Sequence, residues 1–316
     1  MSQPDAEEPA SPPAPAGERR VPGLTPALRR QARLLFQLLA AISPSLAARV
    51  AAYLFVRPRA RAISVAEAQF LQTAHARRLS TADGTIQLYE WPAEGPTVLV
   101  VHGWISHAAR LQEIIRALQA KGLRVLACDA PAHGRSSGSQ ADLLRYRAAL
   151  AAVSHEAGPI AGILAHSFGA MAAVSWLAED PAAASVQAAV LVGLPRDVGY
   201  LLESFILAVN LGPAVIEQLR RLFHRRYGRY PEEFSARALA QSIHIPVLLM
   251  HGAEDDLVPI AHADEILAAL SDGRLHIAAG LNHSAPLRDP ASIAMMAGFL
   301  AEQLLRSSNA RTLQAH

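Results

Sequence analysis

The 316-residue chain is half apolar, lightly charged and close to neutral, with a formal net charge of +2. Those values suit one large globular domain or two smaller ones and exclude a polyelectrolyte that binds nucleic acid through its overall charge. A single cysteine, Cys128, rules out an intrachain disulfide and a cysteine-rich zinc site.

Residues 1–23, rich in Pro, Ala, Glu and Ser, read as a disordered tail. They lack the basic end and apolar run of a secretory signal, and no stretch reaches about 18 uninterrupted apolar residues, so a cytoplasmic location is expected. Residues 24–62 read as a helical extension. Leu28, Leu34, Leu35, Leu38 and Leu39 recur at helix spacing from Pro26, and Pro44 divides them from a second helical segment, Leu46 to Val56. Arginines 29, 30, 33, 49, 57, 59 and 61 punctuate both pieces. A basic amphipathic pair resting on a membrane surface is one reading. Helices packed against the main domain are the other, and the favoured one.

From about Arg77 the pattern changes. Two alternating segments, Arg78–Thr81 and Ile86–Tyr89, flank an Asp83-Gly84 turn signal and predict an antiparallel hairpin. Apolar strands are then expected at Thr97–Val101, Arg124–Cys128, Ile160–Leu164, Ala188–Val192, Pro246–Met250 and Arg274–Ile277. Helices are expected at Ala108–Lys121, Ser139–His155, Phe168–Glu179, Ala261–Leu270 and Pro290–Leu305. Near-continuous apolar strands alternating with helices imply a doubly wound, mostly parallel α/β sheet covered on both faces. That rhythm defines a core over residues 77–193 and 244–306. It breaks across 194–243, where an inserted helical segment is more economical than a fifty-residue loop. Residues 307–316 read as a C-terminal tail.

The residues suited to chemistry fall at strand ends, where open α/β sheets place their sites. His102-Gly103-Trp104 follows the Thr97–Val101 strand, and its glycine lets nearby N–H groups turn into a site. Asp129-Ala130-Pro131-Ala132-His133-Gly134-Arg135-Ser136 follows the next strand; Asp129 and His133 read as loop-organising residues. Ala165-His166-Ser167-Phe168-Gly169 joins a strand to an alanine-rich helix. This small-x-Ser-x-Gly turn is the pattern of a nucleophile elbow, which holds a serine exposed at a helix N-terminus. Glu254, Asp255 and Asp256 compete to be a carboxylate that orients an imidazole. His283, in Gly280-Leu281-Asn282-His283, stands on a loop suited to a general base.

Together H-G-W, D-A-P-A-H-G-R-S, A-H-S-F-G, H-G-A-E-D-D-L-V-P and G-L-N-H resemble the α/β-hydrolase superfamily over roughly Arg78 to Leu305. The resemblance implies Ser167 as nucleophile, His283 as base and Asp255 as acid, with the backbone N–H groups of Trp104 and Phe168 lining an oxyanion hole. It also implies that residues 194–243 form the variable cap that shapes a substrate pocket. Ala165 departs from the glycine usual at that position, and the N-terminal helices lie outside the common core. A serine at the elbow suits acyl transfer through an acyl-enzyme, so a serine esterase for a small or medium acyl ester is the leading expectation. An acyltransferase on the same residues and a catalytically inactive fold used as a binding or membrane-associated module are the alternatives. The expected partner is a small-molecule ester rather than nucleic acid. No metal or organic cofactor is implied, since H-E-x-x-H, a P-loop and a strand-following G-x-G-x-x-G are all missing from the sequence.

Overall fold

The computed structural model describes Val21 and residues 23–59 and 61–314, with side chains as far as Leu305. Most of the expected N-terminal tail therefore lies outside the described residues. Two helices open the chain, α1 (Pro26–Ile42) and α2 (Pro44–Phe55). Thr25 and Ser43 cap them by accepting the N–H groups of Leu28 and Leu46, and a proline occupies the first turn of each. A third helix, α3 (Val65–Leu71), lies where the sequence reading expected none. It starts on a capping box: Glu67 accepts the Ser64 N–H at 2.8 Å and Ser64 accepts the Glu67 N–H at 3.3 Å. The Ser-x-x-Glu spacing was the available signal.

The hairpin follows as β1 (His75–Thr81) and β2 (Gly84–Trp91). Then come β3 (Thr97–Val101), α4 (Gln112–Ala120), β4 (Arg124–Asp129), α5 (Leu143–Ala157), β5 (Gly162–His166), α6 (Phe168–Glu179) and β6 (Ala188–Val192). Helices α7 (Val198–Val209), α8 (Pro213–Tyr227) and α9 (Ala236–Ala240) interrupt the alternation. It resumes with β7 (Val247–Gly252), α10 (Ala261–Leu267), β8 (Gly273–Ala278) and α11 (Pro290–Gln314). The eight strands form one sheet in the order β1-β2-β4-β3-β5-β6-β7-β8. β1, β2 and β4 pair antiparallel, and β4 through β8 run parallel.

Some boundaries differ from expectation for local reasons. The segment 108–121 begins as a 3₁₀ turn, Ala108–Leu111, before α4 starts. α5 starts at Leu143 because Asp142 caps it, accepting the Arg145 N–H at 3.0 Å. β5 runs two residues later than expected, to His166. α11 continues as backbone helix across 306–314, a stretch with no Gly or Pro to stop it.

Both faces of the sheet are covered. Tyr146 and Leu150 of α5 pack with Met171 and Trp176 of α6 on one side; Ile114 and Leu118 of α4 pack with Met296 and Leu300 of α11 on the other. A third, smaller core joins the two irregular parts of the chain. Phe36, Ala47, Ala48 and Ala51 of α1 and α2 bury against Leu202, Phe205, Val209, Val215 and Leu219 of α7 and α8. Arg33 Nε donates to the Ala208 carbonyl at 3.0 Å across this contact. The N-terminal extension therefore packs, as favoured, but chiefly on the inserted helices. Truncating Phe36→Ala should cost about 3 kcal/mol and leave a single cooperative urea transition. An early separate transition would mean that α1 and α2 are not part of the same folding unit.

Candidate active site

Sheet order decides where function can sit. Successive crossovers run in opposite directions from β3, toward β4 on one side and β5 on the other. That reversal opens a crevice at the carboxyl ends of β3 and β5. His102-Gly103-Trp104 follows β3 and Ser167 follows β5 at this point.

β5 becomes α6 through Ser167 alone. Its backbone is held at φ +54°, ψ −121°, a region that a side chain occupies only under constraint. The Ser167 N–H donates to the Val192 carbonyl of β6 at 2.8 Å, and the Ser167 carbonyl accepts the Met171 N–H at 3.1 Å. Nine consecutive buried residues, Phe168 to Trp176, anchor the helix behind it. The N–H of Phe168 is the first of the helix and has no intrahelical acceptor. Gly103 lies against the serine: a Cβ there would stand 3.0 Å from Ser167 Cβ and 2.9 Å from His166 Nδ1. Only glycine lets the two loops approach this closely.

Across the crevice, the loops after β7 and β8 bring Asp255 and His283 together, with His283 Nδ1 2.7 Å from Asp255 Oδ2. The other carboxylate oxygen accepts the N–H groups of Leu257 at 2.9 Å and Val258 at 2.8 Å. Burial of Asp255 works to raise its pKa, but the His283 hydrogen bond and charge and those two N–H groups outweigh it and hold the carboxyl below its ordinary range. A carboxylate beside Nδ1 requires the Nδ1–H tautomer, which leaves Nε2 as an acceptor. Glu254 and Asp256 are exposed, whereas the Asp255 side chain is 1% exposed. Gly193, at φ +58°, leaves room for the imidazole; a Cβ would fall 2.9 Å from His283 Cε1.

Three further histidines, none of them assigned a role from sequence beyond loop organisation, pin the surrounding loops. His102 faces the Gly103 carbonyl with Nδ1 and accepts the Ala130 N–H with Nε2, at 2.8 and 3.0 Å. His133 faces the Pro131 carbonyl at 2.9 Å and accepts the Ile105 N–H at 3.2 Å. His166 Nε2 reaches the His283 carbonyl at 3.2 Å. Burial lowers the pKa of His102 to about 4, and burial with a neighbouring imidazole charge lowers those of His133 and His166 to about 3. Asp129 also organises rather than reacts: it accepts the Ala108 and Arg135 N–H groups, both at 2.8 Å, and the Tyr89 hydroxyl at 3.1 Å. Asp129 and His133, read from sequence as loop-organising, have partners on their own loop in Arg135 and Pro131, whereas the partners of His102 at Ala130 and of His166 at His283 lie on other loops and leave no local signal.

Ser167 and His283 both line a cavity of about 590 Å³. Trp104 and Phe168 stand beside them, with ring centroids 5.2 Å apart. The walls are mainly apolar, with Leu28, Ala32 and Phe36 of α1 and Leu201 and Phe205 of α7 coming from the two irregular segments, while Gln31, Arg57, Arg59 and Asp142 also line the cavity. Gly23 packs on the Ile105 side chain, so the N-terminal segment also touches the loop after β3. Tyr200 of α7 donates its hydroxyl to the Leu257 carbonyl at 2.7 Å, which ties the inserted helices to the Asp255 loop. Among the described residues no group of three or more His, Cys, Asp or Glu side chains is placed to hold a metal ion.

Comparison with known proteins gives a consistent result. The family model described as the alpha/beta hydrolase family matches residues 98–295. A monoacylglycerol lipase of Mycolicibacterium smegmatis is 26% identical over 226 residues, covering 59% of this chain and 80% of that protein. Among solved structures, the esterase RhEst1 from a Rhodococcus species aligns with a TM-score of 0.56 at 18% identity, over 73% of this chain and 99% of the other. The Pyrococcus furiosus esterase Pf2001 aligns with a TM-score of 0.57 at 19% identity, over 78% and 96%. These two are likenesses of fold.

The buried histidines also set an acid limit on the fold. His102, His133 and His166 bind protons less readily folded than at the ordinary value of 6.5, so the unfolded chain takes up protons first as the pH falls. Their contribution is complete above about pH 6.5 and is lost toward pH 4 and below, at about 1.4 kcal/mol per pH unit for each. Urea unfolding at pH 5 should show stability reduced by up to roughly 5 kcal/mol relative to pH 7. An unmoved midpoint would show that these imidazoles are not held neutral.

Proposed function

The chain belongs to the alpha/beta hydrolase family, and from that premise we propose that it is a serine hydrolase that cleaves a carboxylic ester with an apolar acyl chain. The observation that carries the reading is a His283–Asp255 pair, 2.7 Å apart, facing the same apolar cavity as a serine held in a strained elbow.

In this reading Ser167 Oγ attacks the ester carbonyl while His283 Nε2 takes its proton. Asp255 holds the Nδ1–H tautomer and stabilises the imidazolium. The carbonyl oxygen, now negative, meets the N–H groups of Trp104 and Phe168, and loss of one such donor typically costs about 3 kcal/mol of transition-state stabilisation. His283 returns the proton to the departing alcohol, leaving an acyl-enzyme. Water then attacks that ester, with His283 again as base, and the free acid leaves Ser167 restored.

The acyl chain would lie along Leu28, Ala32, Phe36, Leu201 and Phe205, with α7 to α9 acting as the cap and α1 completing it. A pocket of about 590 Å³ with this lining extends the expectation from small or medium acyl groups toward fatty acyl chains. The similarity to a monoacylglycerol lipase points the same way. Pockets of this kind bind through buried apolar area with a small number of placed polar groups, and the lining here is mainly apolar.

Steady-state hydrolysis of an ester series of increasing acyl length tests the assignment. Ser167→Ala should lower kcat by on the order of 10⁴ or more, and Asp255→Asn by a comparable factor, because the three groups act as a unit. Asp256→Asn should stay within about twofold, as expected for an exposed side chain outside that unit. A severe effect at Asp256 with a mild one at Asp255 would move the acid by one residue.

A further inference from the structure

The inner face of α1 walls the cavity, but its outer face is unusually apolar. Leu34, Leu38 and Ile42 are 59%, 67% and 76% exposed, and with Leu35 they fall within roughly 100° of the helix circumference. Leu54 of α2 is exposed as well. A soluble surface scatters such residues singly, whereas a contiguous apolar stripe marks a place where something binds.

Two of these residues belong to the cavity too. Leu35 and Leu54 are exposed and also line it. The apolar stripe is therefore continuous with the cavity that Ser167 also lines. The segment's own charge is one-sided: between Val21 and Ala66 there are seven arginines and no acidic residue. Arg30, Arg49, Arg59 and Arg61 are exposed, and Arg57 lies over the Tyr53 ring at 4.0 Å.

We propose that the outer face of α1 and α2 docks on an anionic lipid bilayer, so that an acyl chain passes from the bilayer between Leu35 and Leu54 into the cavity. This rests on the ester-hydrolase reading for its substrate, but the docking surface stands on its own geometry. A basic helix pair with an exposed apolar face matches both parts of such an interface, the acyl boundary and the anionic headgroups. A second copy of the chain fits poorly, because a twofold contact would set the exposed Arg30, Arg49, Arg59 and Arg61 against like charges. Residues 1–20 contain no Val, Leu, Ile or aromatic side chain with which to cover the stripe.

Vesicle co-sedimentation of the full chain is the test, with phosphatidylcholine alone and with added phosphatidylglycerol, beside turnover of a water-soluble short-chain ester. The variant Leu34→Glu/Leu38→Glu/Ile42→Glu changes only residues outside the cavity lining. The full chain should pellet with anionic vesicles. The triple variant should partition at least about tenfold less while keeping its soluble-ester turnover. As a second probe, Leu38→Trp emission should shift to shorter wavelength on adding anionic vesicles. No pelleting of the full chain, equal pelleting of the triple variant, or no emission shift would overturn the proposal. A dimer of the full chain that the triple variant converts to monomer would overturn it in favour of a second copy. Vesicle binding that depends on the stripe, in a protein inactive on every ester, would sink the ester-hydrolase reading and support the docking surface.

Discussion

The N–H of Ser167 donates to the Val192 carbonyl at 2.8 Å, and this bond fixes the point at which β5 turns into α6. The turn happens within one residue, at backbone angles that cost about 1–3 kcal/mol for a residue with a side chain. Burial of Phe168 to Trp176 on the sheet offsets that cost. Strain and packing therefore have to be read together: the helix must be apolar nearly all round so that the serine in front of it can stand in the crevice.

Around this point the fold uses buried, neutral imidazoles as fasteners. His102 joins the loops after β3 and β4, His133 joins them again through Ile105, and His166 reaches the His283 carbonyl. Ile105 and Ala132, like Ser167, have positive φ without being glycine. Three such residues within two loops and an elbow mean that the carboxyl end of the sheet is over-determined by hydrogen bonds. That is the condition under which reacting groups hold position without reorganising.

Much of this was legible in the chain. β3, β6 and α6 were read to the residue, because a strand buried on both faces is a continuous apolar run and the elbow motif marks the start of the helix. β5 lies two residues later than the expected Ile160–Leu164, because Ala165 and His166, which the motif assigns to the turn, are still paired in the sheet. Among the three neighbouring acids, composition says nothing, and burial together with contact to His283 separates Asp255. The seating of α1 and α2 on α7 and α8 was out of reach for the same reason. Their apolar faces were visible, but the contact from Arg33 to Ala208 spans 175 residues, and no local pattern names such a partner. The apolar core that these four helices share seats the N-terminal pair where Leu28, Ala32 and Phe36 line the cavity.

Everything proposed for this site requires Ser167 to be an activated nucleophile. Labelling the full chain with a fluorophosphonate probe and locating the adduct by peptide mass spectrometry decides the matter. An activated Ser167 should carry the adduct and lose it in His283→Ala. A folded protein that takes no label, or takes it on another serine, would rule out Ser167 as the nucleophile.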